Sequence, residues 1–405
     1  MTPSPFLTAF RAQATQRPEQ MLWTPAMGLS ATYGDVLALV DQQQAALRSA
    51  RLPAIAGERL AVDAELGASR FAWALTGLAL GLPTLALSPY QRSGRFEDLK
   101  TVWQPHLLVL DSPKAARGLA PREGGQAWSA VYDLNHGQNQ PSVGMVGESL
   151  WLKHWQNLVR SAPLAAGERV ATVLPDTIGT WFDLWAWAAT QGAELFSLPQ
   201  HPFMAPDQHW DWPSGTLHAH MTASQAMWLR AATIPAGATV WIHGPFPAWL
   251  PQRVPGARAF PVPPMTSTLE AMPKQGWSAA ILYQFSLGQD PHRAWRQQKE
   301  AQLMAIPGVL EAIVPVHPLD SSKPRPVGVV CLEEDPLAIA QCRQAVEDVC
   351  ENDALLATAA LVWMGPQYLR YHSLGPDDLV GDSLSLVQYM ADTLADQARQ
   401  DLASL

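Results

Sequence analysis

The chain has 405 residues and a formal net charge of −9, with 48% hydrophobic and 16% charged residues. That length allows two to four domains of about 100–200 residues, and so apolar a chain is not a long disordered one, which would be rich in charge. An acidic balance with six lysines argues against binding a phosphate backbone, so no nucleic-acid partner is expected.

Residues 6–17 form an expected short helix, stopped by Pro18. Residues 21–23 and 31–33 read as short strands of a hairpin around Gly28. Asp35 caps a helix running to Leu47. The apolar runs 60–62, 83–87 and 106–111 read as buried strands, and the apolar helix 68–80, ended by Gly81, joins the first two. Short apolar strands alternating with helices predict a parallel α/β layer. The scheme restarts after residues 135–141, which are rich in Gly, Asn and Gln. Helices 150–162, 180–191 and 222–232 then alternate with strands 169–174, 194–198 and 239–243. Prolines crowd residues 245–273 and predict a rigid loop. Beyond Pro291, helices 293–306, 336–351 and 383–399 mix with strands 312–316, 327–332 and 361–364, the pattern of a small α+β unit. The expected fold is α/β: two α/β subdomains (1–130 and 131–290) form a large N-terminal domain, followed by a smaller C-terminal α+β domain (291–405).

No run nears the ~20 apolar residues of a membrane span. The segment before Phe6 shows no basic region followed by an apolar core, so no secretory leader is read there. Cys331, Cys342 and Cys350 supply no disulfide framework and no C-x-x-C, which suits reduced thiols in a cytoplasmic protein. Tryptophans gather at Trp151, Trp155, Trp181, Trp185 and Trp187. Such rings fill a core or stack on a flat ligand. His201, His209, His218 and His220 include a His-x-His spacing known from zinc sites, but no cysteine joins them and no metal is assigned. Gly381-Asp382-Ser383-Leu384 is similar to a carrier protein's phosphopantetheine site, yet Asp382 or Ser383 as a helix N-cap accounts for the same residues. There is no G-x-S-x-G elbow. His154, Asp183 and Glu270 remain a candidate acid/base set.

Several stretches stand in a telling order: Ala31-Thr32-Tyr33-Gly34-Asp35-Val36-Leu37, Gly57-Glu58-Arg59-Leu60-Ala61-Val62, Phe182-Asp183, Gly192-Ala193-Glu194-Leu195, and the run from Arg293 through Glu300 to Pro307-Gly308-Val309. Their order resembles the adenylate-forming superfamily of acyl- and aryl-CoA synthetases, luciferases and peptide-synthetase adenylation domains. The resemblance covers most of the chain and rests on order, not on one motif. It implies an acyl or aryl acid as ligand, held by Trp181, Phe182 and Asp183. It also implies a CoA or acyl-carrier-protein partner, and ATP with Mg²⁺ as cofactors.

Departures cut against that chemistry. The family's Ser/Thr/Gly-rich phosphate loop ends in Pro-Lys-Gly. Here residues 141–149 keep Ser142, Gly144 and Gly147, but the lysine position holds Glu148, and Lys153 is the only lysine nearby. No lysine follows Lys323, so the family's late catalytic lysine is absent and Arg370 or His372 would have to replace it. The family's Mg²⁺-binding Y-G-x-T-E shrinks to Met265-Thr266-Ser267-Thr268-Leu269-Glu270. The residues implied for chemistry are therefore Glu270, Arg370 and His372. Those implied for the cofactor are Ser142, Gly144, Gly147, Lys153, Thr266 and Thr268. The expected function is that of a degenerate relative, binding an acyl or aryl acid or a carrier protein without ordinary adenylation. The alternative is a diverged AMP-forming acid–thiol ligase.

Overall fold

The structure is a computed structural model that describes residues 4–26, 28–49, 57–64, 67–87, 102–110, 117–118, 128–133, 142–174, 180–198, 212–228, 234–244, 246–270, 293–314, 327–333, 335–357 and 361–364. In chain order the first elements are α1 (Pro5–Gln16), β1 (Met21–Thr24), β2 (Ala31–Thr32), α2 (Tyr33–Ser49), β3 (Leu60–Asp63), α3 (Ala68–Leu80), β4 (Thr84–Leu87), β5 (Leu107–Leu110) and β6 (Arg117–Gly118). There follow β7 (Ser129–Asp133), β8 (Ser142–Gly147), α4 (Glu148–Ser161), β9 (Arg169–Thr172), α5 (Trp181–Ala189), β10 (Glu194–Ser197), β11 (His218–Thr222), α6 (Ala223–Trp228), β12 (Thr239–His243), α7 (Leu250–Arg253), β13 (Ala257–Ala259) and β14 (Ser267–Glu270). The last are α8 (Arg293–Met304), β15 (Val309–Ile313), β16 (Val327–Cys331), α9 (Pro336–Glu351) and β17 (Leu361–Met364).

The fold is mixed α/β with parallel sheets, as the alternation of apolar strands and helices predicts. A four-stranded sheet has the order β4-β3-β5-β6, and a seven-stranded sheet the order β13-β12-β11-β9-β10-β1-β2. Within the larger sheet every pairing is parallel except β1 with β2. Strands β11 and β12 are buried along four of their five residues, the continuous burial of strands covered on both faces. The N-terminal hairpin belongs to this sheet: β1 pairs with β10, Trp23 beside Leu195. Trp23 packs on Trp185 at 4.9 Å between ring centroids, and Phe6 of α1 packs edge-on against Trp151 at 5.1 Å. Helix α3 lies so close to β4 that a Cβ on Gly77 would strike Thr84 and the Leu82 carbonyl. Gly81 then ends the helix in the left-handed conformation, φ 72°.

A three-stranded antiparallel sheet, β14-β8-β7, packs its Val131, Val143, Met145 and Leu269 against Ala61, Leu85 and Leu108 of the four-stranded sheet. Here the structure corrects the sequence pattern. Residues 142–147, expected as part of a loop, form strand β8, and the proline-dense stretch contains α7, β13 and β14. Pro251 sits in the first turn of α7, where its missing N–H is harmless. The strand expected at 312–316 begins earlier, at Val309.

The C-terminal unit has the sheet β15-β16-β17 under α9, around Val327, Val329, Cys331, Cys342 and Val346. It is docked on the large sheet. Leu310 and Leu332 share a core with Val240, Ile242 and Leu250. Trp249 Nε1 donates to the Val309 carbonyl at 2.9 Å, and Arg253 pairs with Glu333 at 2.7 Å. The helix expected at 383–399 and the Gly381–Leu384 stretch lie outside the described residues.

Candidate functional site

In the seven-stranded sheet, β9 has β10 on one side and β11 on the other. The chain therefore reverses its direction of sheet-building between β9 and β11. In open parallel sheets, the connections at such a switch point leave a crevice outside the carboxyl ends of the strands, where ligands bind. Thr180 enters this region just ahead of α5, His220 lies on β11, and His243 ends β12.

These three residues form a chain of hydrogen bonds. Thr180 Oγ1 lies 2.6 Å from His243 Nδ1, and His243 Nε2 lies 2.9 Å from His220 Nδ1. Phe260 stacks on His243 at 4.2 Å, and Trp187 and Trp241 flank His220. Exposure falls along the chain, from 8% at Thr180 to 1% at His243 and 0% at His220. Burial in this aromatic sleeve depresses the His243 imidazole to about 3 and holds His220 well below its ordinary value. Both rings are thus neutral near pH 7. Among the described residues, His220 Nε2 has no hydrogen-bond partner.

Helix α5 presents a second polar node on its other side. Asp183 is buried, and its Oδ1 accepts from Tyr132 Oη and Trp151 Nε1, both at 2.9 Å. His154 Nε2 lies 3.9 Å from the same oxygen. Desolvation raises Asp183 to about 7 against two hydrogen bonds that lower it, and desolvation lowers His154 to about 4. Two members of the acid/base set expected from sequence, His154 and Asp183, therefore meet, but in the core. Of the residues implied for the acid, Phe182 is also core, stacked on Trp151 at 5.1 Å. Trp181 is half-buried, with the Arg70 guanidinium 5.5 Å from its ring.

The residues implied for the cofactor gather in the three-stranded sheet. Ser142 pairs with Glu270 and Gly144 with Thr268 across β8 and β14. Residues 143–145 also pair with β7, so the amides at the centre of β8 serve the ladder and do not face an anion. Thr266 donates both its N–H and its hydroxyl to the Met145 carbonyl. Gly147 precedes α4, whose first residue is Glu148, and Lys153 is exposed on that helix. Arg370, His372, His201 and His209 lie outside the described residues. Among the described residues, no group of three His, Cys, Asp or Glu side chains is arranged to hold a metal, and no helix is long and apolar enough to cross a membrane. The histidine relay was missed from sequence. Its only signal was an apolar strand ending in histidine, His243, beside a strand carrying His218 and His220.

Fold and site together define a mixed α/β protein with a switch point in a largely parallel sheet. No protein-family model and no curated protein matches the chain. Among solved structures it is similar to CmiS6, with TM-score 0.49 and 15% identity over 68% of this chain and 77% of that one. It is also similar to IdnL1, with TM-score 0.49 and 14% identity over 89% and 97%. The complex of VinN with L-aspartate gives TM-score 0.46 and 12% identity over 63% and 77%. Likeness at this level does not assign chemistry.

Proposed function

We propose that the chain is a diverged protein of the adenylate-forming architecture that binds an acyl or aryl acid in the crevice beside α5 without ordinary ATP-dependent adenylation. One observation carries the reading. The residues that resemblance assigns to the phosphate loop, Ser142 and Gly144, lie in a strand with its hydrogen bonds committed to neighbours. A phosphate cradle needs free backbone N–H groups and a cation. The carboxylate of Glu148 at the start of α4 opposes an anion there, and the Thr266 hydroxyl proton is already used. These residues do not fit a triphosphate. The partners in this reading are the acid and, after it, an acyl carrier protein or other pathway enzyme, in a cytoplasmic setting.

A second reading keeps the ligase chemistry. It is favoured by the register that sets Ser142 opposite Glu270, which brings a phosphate-loop candidate beside the Mg²⁺ candidate. Calorimetric titration separates the two. With benzoate and hexanoate present, the first reading expects heat from the acid and none from ATP with Mg²⁺. Saturable ATP binding overturns it in favour of the ligase.

A further inference from the structure

Thr180, His243 and His220 form a hydrogen-bonded chain whose less buried end, Thr180, lies at the switch point ahead of α5, where the acid-binding reading places the crevice, and whose other end lies in a sealed aromatic interior. Such a chain of neutral groups has a direction, because a neutral imidazole donates from one nitrogen and accepts at the other. Two protonation patterns satisfy both contacts. In the inward pattern, Thr180 donates to His243 Nδ1, His243 Nε2–H donates to His220 Nδ1, and His220 carries its proton on Nε2. In the outward pattern, both rings carry their proton on Nδ1. His220 then donates to His243, His243 donates to Thr180 Oγ1, and the Thr180 hydroxyl proton turns toward the crevice.

The sealed end sets the resting direction. His220 Nε2 finds no partner among the described residues, and the His220 ring packs among Trp187, Trp241 and Phe260, with centroids 5.4, 6.2 and 5.4 Å away. An N–H gains from facing an aromatic ring, and a bare lone pair does not. The free protein therefore holds the inward pattern, and Thr180 offers the crevice an acceptor.

We infer that Thr180 is the ligand-binding hydroxyl of the crevice, and that a carboxylate oxygen reverses the relay so that this hydroxyl donates to it. The inference rests on the acid-binding reading above and names the group that grips the acid. Thr180 touches the ligand; His243 and His220 are positioning residues that act through it. No charge is created. Each ring stays neutral and moves its single N–H from Nε2 to Nδ1: His220 gives its Nε2 proton to water and Thr180 takes one from water, and because His220 is fully buried this exchange passes through a transient local opening of the core. A carboxylate has acceptor sites only, so it matches the outward pattern and is mismatched to the inward one.

The test is ¹⁵N NMR of histidine-labelled protein, with the His220 and His243 signals assigned through H220Q and H243Q, titrated with benzoate and hexanoate. The expected result is Nε2–H on both rings in the free protein and Nδ1–H on both at saturation. Calorimetry should show Thr180→Val weakening the acid about tenfold or more, the scale of one hydrogen bond to a charged oxygen. Thr180→Ser, which keeps the hydroxyl, should restore most of that affinity. If the acid saturates the protein and neither the tautomers nor the Val variant's affinity change, the relay inference fails and the acid-binding reading stands. If neither acid binds the wild-type protein, the acid-binding reading fails and takes the inference with it.

Discussion

His154 Nε2 stands 3.9 Å from Asp183 Oδ1, yet the two do not form an ion pair at mildly acidic pH. Burial keeps the imidazole uncharged above about 4 and the carboxyl protonated below about 7. Asp183 Oδ1 is occupied by Tyr132 and Trp151, while Oδ2 has no partner among the described residues. The proton therefore sits on Oδ2, and the group behaves as a neutral acid within the core.

Asp183→Asn should mimic that neutral acid, because Oδ1 still accepts twice. The carboxyl titrates at 3.8 when unfolded and at about 7 when folded. Between these values the folded state holds the extra proton, so its stability contribution is present at low pH and lost as pH rises toward 7. Chemical denaturation should find the variant near wild type at pH 4 and more stable by about 4 kcal/mol at pH 8, from a shift of roughly three pH units. A difference that does not move with pH would show that Asp183 is ionised throughout.

The histidines act in the opposite sense. His154, His220 and His243 are all held below the unfolded value of 6.5. Their contribution is fully present above pH 6.5 and is lost as pH falls toward the folded values of about 4 for His154 and about 3 for His243. Three such groups outweigh the single opposing Asp183. The urea midpoint should fall steadily from pH 7 to pH 4.5. A midpoint that rises on acidification would contradict the buried neutral rings.

Trp249 ties the C-terminal unit to the large sheet. Trp249→Phe keeps most of the apolar contact and removes the donor to the buried Val309 carbonyl. The expected loss is about 1–3 kcal/mol, the cost of a buried polar group left unpaired. Arg253→Ala should cost less than about 1 kcal/mol, because the Arg253 side chain is 48% exposed and its pair with Glu333 is screened by water. Equal losses from the two variants would overturn this ranking.

Cys331 and Cys342 lie with sulfurs 3.7 Å apart, exposed by 0% and 4%. The two thiols share this hydrogen bond, which lowers Cys331 and raises Cys342. Despite that lowering, burial should keep both thiols from reagent. Native protein should leave them unmodified by a thiol-reactive disulfide dye over minutes, and denatured protein should react at all three cysteines. Rapid native modification of Cys331 would show that this core opens.

Sequence by itself determined the local elements. Apolar runs marked β3, β5 and β12, glycine marked the end of α3, and an alternation of strand and helix set the α/β class. These are properties of neighbouring residues, written in propensity and periodicity. Tertiary structure alone decided the pairings. Trp23 sits beside Leu195 in one sheet, Thr180 reaches His243 across 63 positions, and Asp183 finds Tyr132 across 51. No short-range pattern encodes such contacts. A buried polar group takes whichever partner the packed core brings within hydrogen-bond distance, because leaving it unpaired away from water costs more than any local preference supplies.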